Sequence, residues 1–203
     1  MRVIAGTYKS RILKSLKGLP LRPTSDRLRE TLFNVLAPNI AGSRFVDLFA
    51  GTGAIGIEAL SRGAAEVIFI ENHAPAATLI RRNLESLGIN TGVTVLAVDA
   101  LRGLAMLAAR INSGSPAFHH IFLDPPYAAA QDYSRVLEFL GTADLLAPGG
   151  IVVAEHRRNF DLHEDPGVLK RFRVLKQGDA ALSFYRRQGE LSPDPGGENN
   201  SAD

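Results

Sequence analysis

A glycine stretch, Gly51-Thr52-Gly53-Ala54-Ile55-Gly56, follows an apolar run and opens a segment of helical spacing, and it constrains the fold more than any other feature of the chain. The run Arg44–Leu48 before it reads as a buried strand, and residues 55–62 after it read as a helix closed by Gly63. Glycines at such a junction let the backbone turn sharply and approach a ligand closely. About seventy residues on, a second apolar run at 121–123 leads into Asp124-Pro125-Pro126-Tyr127. Two prolines there fix φ and remove two N–H donors, leaving rigidly placed acceptors between a carboxylate and an aromatic ring.

The remaining pattern repeats the alternation. Apolar groups at 28, 32, 35 and 36 predict a helix over 26–36, capped by Ser25 or Asp26. Strands are expected at 45–49, 67–70, 93–98, 121–123 and 151–155, with helices at 75–87, 101–110 and 133–140. Residues 111–118 read as loop, and Pro148-Gly149-Gly150 as a turn. Two last strands, 172–176 and 181–186, flank Gln177-Gly178-Asp179 as a hairpin. Repeated β–α units closed by a hairpin imply a doubly wound α/β fold: a seven-stranded, mostly parallel sheet with one antiparallel strand.

The 203 residues suffice for one well-buried domain. No apolar stretch nears the ~20 residues that span a bilayer, and the first residues lack the apolar core of a signal peptide. Without cysteine, disulfides and thiolate metal sites are excluded; the five histidines show no ligand spacing, so no metal is expected. A cytoplasmic location fits. Charge is unevenly spread: residues 1–31 carry an excess of +6, residues 32–187 balance, and residues 188–203 carry −4. The basic end points to a polyanion partner, against the alternative of a solvated disordered arm.

The glycine loop alone could serve a dinucleotide. Asp47, however, stands inside the first strand, where a buried anion would repel a pyrophosphate and suits a cation such as the amino group and sulfonium of S-adenosylmethionine. Glu71 ends the second strand, where a carboxylate can grip ribose hydroxyls. Asp99 ends the third, where it can accept from an adenine amine. Each acid singly could be a strand-end cap; all three in register with a glycine loop read as a cofactor site at the ligand edge of the sheet. At the same edge, Asp124 and the Pro125 carbonyl can hold the N–H bonds of an exocyclic amine and aim its lone pair at a methyl group. Tyr127 offers a ring for the base to stack on.

Together these residues resemble the class I S-adenosylmethionine-dependent methyltransferases of the amino-methylating type. Arg2-Val3-Ile4-Ala5-Gly6 and the block Arg22-Pro23-Thr24-Ser25-Asp26-Arg27-Leu28-Arg29-Glu30-Thr31-Leu32-Phe33 narrow the resemblance to the RsmD-type bacterial enzymes, which methylate N2 of guanine 966 (reference numbering) in 16S ribosomal RNA. The resemblance spans residues 1–187. It implies a cofactor site lined by Asp47, Phe49, Gly51, Gly53, Glu71 with Asn72, and Asp99 with Ala100. It implies that Asp124, Pro125, Pro126 and Tyr127 hold the guanine, and that the partner is 16S rRNA or a small-subunit assembly intermediate.

The chain then divides into a basic extension over 1–31 that binds RNA and covers the cofactor, a methyltransferase domain over 32–187, and a disordered acidic tail over 188–203. Arg2, Lys9, Arg11, Lys14, Lys17, Arg22 and Arg27 are the expected RNA contacts, with Arg29 near the cleft; Arg157 and Arg158 are a further candidate surface. The His119-His120 pair reads as core or loop, and His156 as near the ligand edge. Two other readings stand beside this one. An N6-adenine methyltransferase shares the amino-methylating loop but usually needs an added recognition domain. A non-catalytic RNA-binding assembly factor would not need intact acids at its strand ends.

Overall fold

The computed structural model describes residues 1–15, 24–126 and 130–189. Lys17, Arg22, Tyr127 and residues 190–203 of the tail lie outside them. Seven strands form one sheet in the order β3-β2-β1-β4-β5-β7-β6. β1 (Arg44–Leu48) lies inside the sheet and pairs in parallel with β2 (Glu66–Ile70) and with the central strand β4 (Phe118–Leu123). β3 (Val93–Leu96) extends one side and β5 (Leu146–Arg157) the other, both parallel. β6 (Leu169–Gln177) and β7 (Ala180–Arg187) form the closing hairpin, and β7 alone runs against the rest. The strand order reverses between β1 and β4, so a crevice opens at their C-terminal ends, where open α/β sheets take their ligands.

Both faces of the sheet are covered. α1 (Asp26–Ile40), α2 (Ala54–Ser61) and α3 (Ala74–Ser86) bury one face around Phe33, Phe45, Phe69 and Phe122. α4 (Ala100–Asn112) and α5 (Ala130–Thr142) bury the other around Leu48, Ile70, Leu104, Leu123 and Leu137. Ser25 caps α1, its Oγ accepting the Leu28 amide at 3.1 Å. α1 runs past the expected end at Leu36 and through Pro38. The proline costs one helical hydrogen bond close to the C-terminus, but buried Ile40 and the bond of His120 Nε2 to the Asn39 carbonyl at 3.1 Å hold the last turn in place.

Three strand expectations need correction. β1 stops at Leu48, because Phe49 adopts a left-handed φ of 59° that no strand continues. β3 stops at Leu96, so Asp99 does not end a strand; it caps α4, its carboxylate accepting the Arg102 amide at 3.0 Å. The turn at Pro148-Gly149-Gly150 lies within β5 as an irregularity: Phe118 pairs with Leu146, while His120 pairs with Ile151. Likewise α4 reaches Asn112 and β4 begins at Phe118, leaving little of the loop expected over 111–118.

The first fifteen residues are part of this packing. Arg2 and Ile12 bridge as an antiparallel pair, and Val3 and Leu13 join the core beneath α1 and α2. Glu58 of α2, fully buried, accepts the Ile4 and Ala5 amides at 2.8 and 3.0 Å and pairs with Arg62 at 2.8 Å. Asn83 of α3, also fully buried, accepts the Lys14 amide at 2.9 Å and donates to the Thr52 carbonyl at 3.0 Å, linking this segment to the glycine loop. The expected boundary at residue 31 falls inside α1.

Replacing Glu58 with Ala strips two backbone donors and one guanidinium of their acceptor. The substitution should lower the unfolding free energy by ~3 kcal/mol or more, the range for removing one partner of a buried charge pair. Urea unfolding measures this, and an unchanged midpoint would show that the N-terminal segment is held by other contacts.

Candidate active site

The site is built where β1 meets its loop. Asp47 is the fourth residue of β1 and lies on the face shared by Phe45, Phe69 and Phe122. It is 2% exposed, and its Oδ2 accepts the Gly56 amide at 2.9 Å. Burial pushes its pKa up to about 8; the Gly56 bond opposes the rise and the charge of Glu71 adds to it. Burial thus favours the protonated form of Asp47, and positive charge beside it favours the buried anion expected from the sequence.

The loop obeys tight steric limits. Gly53 caps α2 with a φ of 78°, a region closed to most side chains. Gly56 faces β2 so closely that a Cβ there would lie 2.3 Å from the Phe69 ring. This lets α2 settle onto the sheet and carries the Gly56 amide to Asp47. Glu71, 8% exposed, clamps the loop from the other side: Oε2 accepts the Gly51 amide and Oε1 the His73 amide, each at 2.8 Å. An ionised carboxylate has about four acceptor sites, so Glu71 can hold the loop and still receive a ribose hydroxyl. Asn72 is exposed beside it. Asp99 is also exposed and Ala100 is buried at the start of α4. The three acids are thus unlike one another: one buried in the sheet, one clamping the loop, one capping a helix.

Asp124 leaves β4 one position beyond Leu123, which pairs with Leu48. Alternation places it on the same face as Asp47. It keeps a partly exposed edge, Pro125 is buried and Pro126 is exposed. Burial pushes Asp124 well above the usual carboxylate range, and the charges of Glu155 and Asp47 push it the same way.

The sequence reading missed Glu155. It is 5% exposed near the end of β5, and its Oε2 accepts the Thr24 hydroxyl at 2.7 Å. The signal was present: an acid closing the apolar run Ile151-Val152-Val153-Ala154, as Asp47 nearly closes its own. Its neighbour His156 points to the other face, beside Phe160, with Nδ1 against the Arg157 carbonyl and Nε2 against Ser183 Oγ, both at 2.8 Å. Burial lowers its pKa, so it rests neutral and away from the carboxylates. His120 is buried in the sheet, with burial pushing its pKa down to about 4, and His119 Nδ1 accepts the Arg44 amide at 3.0 Å.

The basic residues fall into two groups. Lys9, Lys14 and Arg27 are exposed. Arg2 approaches Asp26 at 3.6 Å, and Arg11 bonds the Ser86 carbonyl at 3.1 Å. Arg29, placed near the cleft by sequence, is fully buried, bonding the Arg2 carbonyl at 2.6 Å and Asp26 at 2.9 Å. It holds the N-terminal segment to α1. Among the described residues no helix is long and apolar enough to cross a membrane.

The profile of the family described as conserved hypothetical protein 95 matches residues 1–186. The chain is 38% identical to the Bacillus subtilis protein YlbH over 189 residues, covering 93% of this chain and all of that one. It is also 38% identical to a Haemophilus influenzae protein named ribosomal RNA small subunit methyltransferase D, with 92% of each covered. The solved Escherichia coli protein yhhF superposes with a TM-score of 0.78 at 29% identity, covering 92% of this chain and 97% of that one.

Asp47 makes stability depend on pH. Its folded-state pKa lies above the ordinary 3.8, so the folded protein binds this proton more tightly than the unfolded chain. Its contribution is therefore full below 3.8 and is lost as pH rises toward about 8. Asp47→Asn keeps an oxygen for the Gly56 amide and removes the titration. Asp124 adds a slope of the same sign, so the readout is the difference between the two proteins. In urea unfolding the variant should gain on its parent steadily as pH rises through this window; a pH-independent difference would mean Asp47 titrates as an ordinary carboxyl.

Proposed function

This chain belongs to the conserved hypothetical protein 95 family, and we propose that it transfers a methyl group from S-adenosylmethionine to the exocyclic N2 of a guanine in bacterial 16S rRNA, guanine 966 in reference numbering, during small-subunit maturation. One observation carries the reading. A glycine loop underlain by a buried acid and an Asp-Pro-Pro loop leave adjacent central strands at the same edge, with Asp47 and Asp124 on one face. The name of the Haemophilus influenzae relative supports an rRNA substrate.

The residues present fit the cofactor. Asp47 is a buried acid that ionises beside a cation, Glu71 offers a fixed carboxylate to ribose, and Asp99 stands at the third strand-helix junction for the adenine amine. When bound, S-adenosylmethionine supplies an electrophilic methyl group on sulfur.

The chain's own residues position the amine. N2 of guanine is a weak nucleophile because its lone pair is delocalised into the ring. Asp124 and the Pro125 carbonyl accept its two N–H bonds, draw nitrogen toward a pyramidal shape and turn the lone pair to the methyl carbon. Burial raises the proton affinity of Asp124, which strengthens it as an acceptor when ionised and lets it take the proton that N2 releases. Tyr127 stacks on the base. Lys9, Lys14 and Arg27, with Lys17 and Arg22, contact phosphates; the packed N-terminal segment presents Lys9 and Lys14 from a fixed platform.

Labelled S-adenosylmethionine with small-subunit rRNA tests the reading, with the modified nucleoside mapped. Label in N2-methylguanosine supports it, and label in N6-methyladenosine or none at all overturns it. Asp124→Ala should cut turnover by ~10²-fold or more, by analogy with losing one oriented group at an oxyanion site, while cofactor affinity holds; near-parental turnover would remove Asp124 from the mechanism.

The platform predicts a salt effect. Lys9→Gln with Lys14→Gln alters side chains only, since Lys14 is tied to Asn83 through its backbone. The log–log salt slope of RNA binding should fall by roughly 0.7–0.9 per lost phosphate contact, with folding unchanged. An identical slope would move the RNA surface elsewhere, to the basic end of β5 at Arg157 and Arg158.

A further inference from the structure

We propose that Glu155 reads the Watson–Crick edge of the target base and makes the site select guanine over bases without a hydrogen on N1. This rests on the proposed function and names the residue that sets its base specificity. The placement comes from register. Leu123 of β4 pairs with Ala154 of β5, so Asp124 and Glu155 follow at one level on neighbouring parallel strands. Alternation puts both on the face of Phe122 and Val153, where Asp47 also lies. Parallel strands run about 4.8 Å apart, a spacing that lets two carboxylates meet one base edge. At this spacing the charge of Glu155 adds to the upward push on the Asp124 carboxyl.

Glu155 is also held. Its carbonyl accepts the Tyr133 hydroxyl at 2.7 Å, and its Oε2 accepts the Thr24 hydroxyl at 2.7 Å. A carboxylate fixed at both backbone and head discriminates by hydrogen-bond polarity, because it cannot swing away from a mismatched group. Guanine offers N1–H and the N2 amine side by side, both donors. Asp124 takes the amine at the reacting nitrogen; Glu155, one strand over, takes N1–H. Adenine turns a lone pair at N1 toward the carboxylate, and so does 2-aminopurine, which still keeps an amine on C2. Enzymes that act on unstacked bases read this edge in the same way. The competing role for Glu155 is mechanical: an anchor for Thr24 at the head of α1.

The full chain is assayed on RNA carrying guanine or 2-aminopurine at the methylated position, with kcat/KM measured for both. The parent should favour guanine by ~10²-fold or more, as sites built around a substrate donor do. Glu155→Gln places an amide donor opposite N1, and the preference should shrink at least ~10-fold while cofactor affinity stays parental. Thr24→Val provides a second variant that leaves the acid in place and loosens its head; it too should shrink the ratio. An unchanged ratio in either folded variant, with N2 still methylated, overturns this inference alone and leaves Glu155 an anchor. Parent protein that places no label on guanine N2 overturns the functional reading beneath it.

Discussion

The hydrogen bond from the Gly56 amide to Asp47 joins the middle of the sheet to the first turn of α2. It requires three things at once: an acid inside a buried strand, a loop that reverses within a few residues, and a helix close enough to deliver its amide. Gly53 provides the reversal and Gly56 the approach. With α2 fixed, Glu58 becomes a buried acceptor for the N-terminal segment, and Ser61 bonds Tyr8 and Thr7. The positions of the loop, the helix and the first fifteen residues all descend from one desolvated carboxyl.

That chain of dependence changes the meaning of the basic N-terminus. A disordered arm would lose conformational entropy on meeting RNA. Here Val3 and Leu13 are buried, and Asn83 ties Lys14 to the Thr52 carbonyl of the loop. Ordering is supplied by folding, so the lysines are presented ready-placed. The same ties explain why buried Arg29 belongs to the structure: its bonds to the Arg2 carbonyl and Asp26 close the segment onto α1.

The sheet and its ligand edge were legible because apolar runs ending in glycine or proline are local signals. So were Ser25 as a cap and Asp47 as an acid within a strand. What escaped depends on non-local packing. Phe49 looks like a strand residue, and only the loop geometry turns its φ to 59°. Asp99 looks like a strand end because Val95 to Val98 are all apolar, yet pairing to β2 stops at Leu96. Pro38 should have stopped α1, and a contact from His120 on a distant strand outweighs it. Glu155 was overlooked because its importance lies in register: nothing in the sequence states that residue 155 lies level with residue 124.

That register gives the site its electrostatic character. Asp47, Asp124 and Glu155 share one face; the charges of Glu155 and Asp47 make Asp124 harder to ionise, and that of Glu71 does the same to Asp47. In a water-poor crevice three adjacent negative charges are costly, so protons remain until positive charge or strong donors replace them. On the proposed function both arrive: a cation beside Asp47 and the donor edge of guanine beside Asp124 and Glu155. On that function the acid cluster holds protons that ligands bearing positive charge or N–H donors displace, so binding and proton release are linked.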